Sequence, residues 1–170
     1  MSDAKLNLGS PTLETLFEEV AGTLKFCNEK YYAFPAAIVA CSTMNAIGSF
    51  LLIDPDKPAK YPPNDQRFKE CVKRYFSHKY HNVANQLWES LRCTLSHVLT
   101  VGPDVAVSCR NDRRHLHLQE VNGYLFVSML ELAEDLHEAM KAYLQDLRAD
   151  SEVRLKFEQR LKKEANAVQG

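Results

Sequence analysis

Among the 170 residues, the side chains best suited to chemistry are a handful of arginines, histidines and cysteines, and one pair shares a single helical stretch: Arg92 and His97 in Arg92-Cys93-Thr94-Leu95-Ser96-His97. Histidine is the side chain whose ordinary pKa, near ~6.5, lets it give and take a proton at neutral pH. Arginine holds a permanent charge on a planar fork of donors. A second group lies near residue 115. His115 and His117 alternate along a candidate strand, and Cys109 could join them, which are the ligand types that suit zinc. A His-x-His without firm third and fourth ligands reads instead as surface histidines on an exposed hairpin, so no metal site and no cofactor are expected. His78 and His81 form another spaced pair in a polar break, where solvated side chains are expected. Arg110, Arg113 and Arg114 form a local basic cluster, with His115 and Tyr124 nearby to stack bases, and are the expected RNA-binding residues. The basic residues Arg154, Lys156, Arg160, Lys162 and Lys163 alternate with Glu152, Glu158 and Glu164 and read as a solvated helix face.

The elements that must position these groups are mostly helical. Ser10 as N-cap and Pro11 at the first helical position open a helix carrying Leu13, Leu16, Phe17, Val20 and Leu24 at helical spacing. Ala36 to Leu52 is apolar nearly all round and reads as a central buried helix, interrupted by Ser42, Thr43, Asn45 and Gly48. The proline-rich run from Asp54 to Asn64 is a loop. A third helix carries Phe68, Cys71, Val72, Tyr75 and Phe76, and a fourth runs from about Val83 to Leu99 with Trp88. Period-two segments follow at Val105 to Val107, Leu116 to Leu118 and Tyr124 to Val127, with Asn122 and Gly123 favouring a tight turn. Helical spacing returns from Met129 to Leu147 and again from Ser151 to about Ala165. The expected fold is mainly α: a single domain over 1–170, a bundle of about five to six helices with a small antiparallel β-hairpin between helices four and five. Residues 1–9 are expected to be a flexible start, and 151–170 an amphipathic helix and tail.

On an ideal helix, Ala84, Leu87, Trp88, Leu91, Leu95 and Val98 fall within about 100° of arc and form the core stripe of the fourth helix. Arg92 and His97 border the polar arc about 140° apart, with Glu89, Cys93 and Ser96 between them. The Arg92 to His97 segment resembles the Arg, four to six residues, His motif of the HEPN superfamily, all-helical domains named for nucleotide binding in higher eukaryotes and prokaryotes. Phe68, Tyr75, Phe76, Leu87, Trp88 and Leu91 around it are similar to uncharacterised bacterial members. The resemblance spans residues 68 to 98 as sequence and about 10 to 147 as an order of helices. It implies a bundle that dimerises across the motif helix and, in active members, metal-independent cleavage of RNA. His97 would then be acid or base, and Arg92 would clamp the scissile phosphate. Arg74 to His81 and Arg110 to His115 carry the same spacing; Arg110 falls in a polar turn between candidate strands, so Arg92 and His97 rank first. Cys93 stands where many active members carry a polar residue, often Asn.

Composition bounds these readings. With 45% hydrophobic and 25% charged residues the chain matches an ordinary globular domain, which excludes collagen-like and low-complexity classes. The 21 Lys and Arg against 22 Asp and Glu give a net charge of -1, so attraction to nucleic acid must be local. Five widely spaced cysteines without a Cys-x-x-Cys pair read as reduced, mostly buried thiols. No Gly-rich phosphate loop, Gly-x-Ser-x-Gly or His-Glu-x-x-His is present. A cytoplasmic homodimer is expected, acting on RNA, with two alternatives, a non-catalytic module for dimerisation or docking a partner protein and a metal-binding protein using His115 and His117; no membrane partner is expected.

Overall fold

The computed structural model describes residues 12–53, 62–93 and 101–168, with side chains through 161. The protein is mainly helical with a small three-stranded sheet. In chain order the elements are α1 (Leu13–Glu29), α2 (Ala33–Leu51), α3 (Asn64–Tyr75), the single turn α4 (His78–His81) and α5 (Ala84–Gln86). A π-helical segment (Leu87–Cys93) continues directly from α5. Then come β1 (Val105–Ser108), a 3-10 segment (Asn111–Leu116), β2 (Gln119–Val121), β3 (Tyr124–Ser128), α6 (Met129–Ala149) and α7 (Ser151–Val168).

The N-cap of α1 is Thr12, whose hydroxyl oxygen accepts the Thr15 backbone N–H at 3.2 Å. Helix α1 thus starts two residues after the expected position, and Ser10 and Pro11 lie outside the described residues. Helix α2 is the centre of the fold, packed against α1, α3, α6, α7 and the π-helical segment. Its polar residues are absorbed locally: the Thr43 hydroxyl donates to the Val39 carbonyl and the Ser49 hydroxyl to that of Ala46. By length and composition alone α2 is apolar enough to cross a membrane, and in the fold more than half of it is buried inside the protein.

The approach of α3 to α2 is set by Gly48. A Cβ at that position would sit 1.7 Å from the Arg67 backbone oxygen, so the two helices touch through main chain. Around this contact the core is aromatic. Tyr143 of α6, fully buried, meets Phe17 of α1, Phe50 of α2 and Tyr75 of α3 with ring centroids 5.8 to 6.4 Å apart, and Phe157 of α7 closes on Phe50 at 4.9 Å. Arg74 binds Asp146 and Asp150, tying α3 to the end of α6. Asp150 in turn accepts the Glu152 and Val153 N–H groups and so caps α7.

The sheet has the order β1-β3-β2. Strands β2 and β3 are antiparallel and joined through Asn122 and Gly123, both at positive φ (53° and 79°) as a tight hairpin requires. Strand β1 runs parallel to β3, not antiparallel as expected. The reason lies in Leu116 to Leu118, expected as a strand: Leu116 ends the 3-10 segment, and His117 and Leu118 turn the chain, Leu118 at φ 58°. The chain between β1 and β2 is thereby taken up in a helical detour that returns it on the far side of β3. The polar break expected at His78 to Asn82 is likewise helical, as α4.

The Gly48 contact yields a paired expectation. Gly48→Ala should destabilise by at least ~1–3 kcal/mol, since backbone must move to admit the methyl. Gly22→Ala, where a Cβ meets nothing within 4 Å, should stabilise α1 by about 0.5–1 kcal/mol. Urea unfolding midpoints of the two variants check both signs.

Candidate functional site

Arg92 stands in the π-helical segment, whose Leu87 and Leu91 are buried against the core. Its guanidinium lies over the Trp88 ring at 4.6 Å, and Trp88 rests on Phe68 of α3 at 5.7 Å. The i→i+5 winding of this segment differs from the ideal helix on which the 140° separation of Arg92 and His97 depends. His97 lies outside the described residues, as do Leu95, Ser96 and Val98. The neighbouring face of the segment is covered from within the chain. Gly102 N–H donates to the Ser90 carbonyl at 2.6 Å, and a Cβ on Gly102 would meet the Ser90 Cβ at 2.7 Å. Gln86 Nε2 donates to both the Asp104 carbonyl and its carboxylate, and the Ser90 and Gln86 hydrogen bonds hold that carboxyl below its usual range. Cys41 is fully buried beneath, its thiol pushed up to about 12 by desolvation and thus unreactive.

The three hairpin arginines belong to the 3-10 segment and its approach rather than to a strand. Arg110 forms a two-bonded ion pair with Asp112 at 3.0 Å, and Arg114 bridges Glu131 and Glu134 of α6. Arg113 is exposed. Two of the three charges are therefore already matched by carboxylates, which leaves little net positive potential here.

The constellation that sequence reading missed is built around a buried tyrosine, with half-buried partners. Tyr80 of α4, His117 after the 3-10 segment, and Asp135 of α6 form a chain of hydrogen bonds: Tyr80 Oη lies 2.8 Å from His117 Nε2 and 2.6 Å from Asp135 Oδ2. The Ser128 N–H donates to His117 Nδ1 at 3.2 Å, and Lys79 Nζ reaches Asp135 at 3.0 Å. The direction of every bond follows. Nδ1 accepts, so the neutral ring carries its proton on Nε2 and donates to the tyrosine oxygen, while the tyrosine O–H donates to the carboxylate. Desolvation first, then the Lys79 charge, lower His117 to about 4, so it is neutral at pH 7. Burial and the Asp135 bond raise Tyr80 well above the usual tyrosine range. Neither group is poised to exchange protons near neutrality; the chain is a clasp between α4, the sheet and α6. Both nitrogens of His117 are occupied, and His115 and His117 lie in a 3-10 segment and a turn, not on one strand face, which removes the geometry of the His115, His117 and Cys109 zinc reading. Among the described residues no group of three or more His, Cys, Asp or Glu side chains could hold a metal. All five cysteines are free thiols, four of them buried.

Two surface features lie beyond the clasp. At the corner between α1 and α2, Phe26, Tyr31, Tyr32, Phe34 and Ile38 are exposed by 53, 71, 52, 43 and 37%. Tyr31 holds a positive φ of 58°. Beside it, a groove of about 1010 Å3 runs between α1 and α6, floored by Ala21, Leu24, Leu130 and Ala133.

The clasp gives a pH expectation whose sign can be worked out. His117 binds its proton less readily folded than unfolded (about 4 against 6.5), so the unfolded chain takes up more protons between those values. Its contribution to stability is complete above pH 6.5 and is lost as pH falls toward 4. Thermal unfolding midpoints measured across that window should fall less steeply in His117→Gln than in the parent. Tyr80→Phe, which strands Asp135 and His117, should cost about 1–3 kcal/mol.

Comparison of the chain with family models, with characterised proteins and with solved structures finds no match.

Proposed function

We propose that the chain is a non-catalytic helical interaction module that docks a partner protein through the corner between α1 and α2. The exposed aromatic cluster of Phe26, Tyr31, Tyr32 and Phe34 carries the reading. Left-handed backbone costs a non-glycine residue about 1–2 kcal/mol, yet here it holds a side chain that is 71% exposed. The backbone angle itself is that of a helix C-terminal cap, the Tyr31 N–H donating to the Asn28 carbonyl at 3.2 Å and the Tyr32 N–H to that of Cys27 at 2.8 Å, and the cap sets the Tyr31 ring out in solvent. Phe26 and Tyr32 meet edge to face beside it at 6.3 Å, a preformed aromatic surface. Tyrosine and phenylalanine bring large contact area at small entropic cost and are the usual anchors of protein interfaces. A homodimer through this corner is the simplest assembly and is tested first. Sedimentation velocity should detect association that Tyr31→Gly weakens at least tenfold. The same substitution should leave stability unchanged or raise it by up to ~1 kcal/mol, about 2–4 °C in melting temperature. A clear loss of stability in Tyr31→Gly would give the ring an internal role and remove the argument.

A second reading is favoured by Arg92. A guanidinium stacked on the Trp88 ring at 4.6 Å has its orientation set, which suits a phosphate clamp. In this reading the protein is a HEPN-like homodimer acting on RNA without metal, Arg92 binding the phosphate and His97 moving the proton. Single-stranded RNA is incubated with the parent, Arg92→Ala and His97→Ala proteins in chelator. Cleavage lost in both variants supports it; identical trace cleavage in all three marks a contaminant and ends it.

A further inference from the structure

We propose that the exposed face of α2 is a contact between two copies of this chain, crossing antiparallel at Ser42, an inference that rests on the corner reading above and names its partner. Helix α2 contains no charged residue from Ala33 to Leu51, and a helix apolar all round belongs inside a protein. Although α1, α3, α6, α7, the π-helical segment and β1 all pack on it, one stripe stays uncovered. Pro35, Ile38, Ser42 and Ala46 are exposed. Their spacing sets them on one side of the helix, within ~80° of arc. Phe34 and Ile38, both exposed, join this stripe to the aromatic corner.

Area requires a contact that reaches past the corner. At ~200 Å2 for a whole aromatic side chain, Phe26, Tyr31, Tyr32 and Phe34 together expose roughly 400 Å2. Each side of a stable dimer contributes ~800 Å2. The uncharged face of α2 is where the apolar surface continues, and its register suits a second copy. Ile38 and Ala46 stand four residues to either side of Ser42. In an antiparallel crossing at Ser42, Ile38 of each copy lies alongside Ala46 of the other, a large side chain beside a small one on both sides of the axis. A parallel pairing would set Ile38 against itself and leave a hollow between the two Ala46 methyls. The small Ser42 lets the helices approach at the axis, and with no charge on the face no like pair meets there and none has to leave water. A shallow crossing of ~20° keeps the helix ends together. Phe34 is thereby brought toward the half-buried Leu52 of the other copy, so the aromatic corner joins the same contact.

Sedimentation velocity of the full chain tests the contact together with thiol cross-linking. Ser42→Glu should weaken the dimer about 100-fold, because two carboxylates would meet unpaired at the axis, while circular dichroism shows the helices intact. Cross-linking does not depend on that variant. With the half-buried Cys93 replaced by serine, Ser42→Cys treated with diamide should give a covalent dimer that Cys93→Ser alone does not. In the same background Ile38→Cys and Ala46→Cys should cross-link when mixed and not singly. Cross-linking of each with itself would mean a parallel pairing and overturn the proposal. A monomer at all concentrations would overturn it, as would flotation of the monomer with phosphatidylcholine vesicles, which would give the face to a lipid surface. A dimer weakened by Tyr31→Gly but untouched by Ser42→Glu would keep the corner as the docking surface and overturn the α2 contact. The reverse pattern would keep the α2 contact and remove the corner.

Discussion

The main-chain contact between Gly48 and the Arg67 carbonyl is the constraint on which the rest of the structure depends. It seats α3 against α2 without intervening side chains, and that seating decides where the side chains of α3 arrive. Phe68 is carried beneath Trp88, which in turn supports the Arg92 guanidinium. Seven residues further along α3, Tyr75 reaches Tyr143 with its ring and Asp146 with its hydroxyl at 2.9 Å. A thicker residue at position 48 would lift the whole of α3, and both the aromatic core and the Arg92 platform would move with it.

A second organising device acts on the other side of the molecule, and it is polar. The sheet is small and its strands are short, so helix packing alone would leave it weakly held. The Ser128 to His117 to Tyr80 to Asp135 chain supplies what the strands lack, since each bond has one donor and one acceptor and none is left over. A satisfied, partly buried network of this kind rigidifies its surroundings. Its residues resemble a proton relay in composition, but their environment suppresses titration near neutral pH. The features left to function are therefore those turned outward, at the α1–α2 corner and along the exposed face of α2.

Much of this architecture is legible in the residues themselves. The apolar repeats of α1, α6 and α7 mark those helices directly, and Asn122 with Gly123 announces its turn because few other residues accept two positive φ angles in succession. Other features leave no such trace. The π winding of Leu87–Cys93 keeps its apolar residues compatible with an ordinary helix, so the spacing of Arg92 reads as α. Leu116 to Leu118 alternates like a strand, yet Tyr80 and Ser128 claim the His117 ring and bend the segment around it. His117 finds Tyr80 and Asp135 from distant parts of the chain, a pairing that no local pattern encodes. Tyr31 looks like any aromatic residue before a helix, and only its backbone angle sets it apart. The arginine cluster was visible, but the acids of α6 that answer Arg114 were not.

The position of α2 in the chain also has a consequence for biosynthesis. Helix α2 is finished by Leu51, whereas α6, which covers it, begins at Met129. At ~5–20 residues per second, the ribosome takes on the order of ten seconds to supply that cover. During this interval a 19-residue segment apolar enough to enter a bilayer is shielded only by α1, α3 and whatever nascent-chain factors are at hand. The early, tight seating of α3 on Gly48 shortens the exposure, because α3 begins at Asn64, long before α6. A chain truncated before α6 would keep that surface uncovered and be a substrate for quality control rather than a smaller version of the same protein.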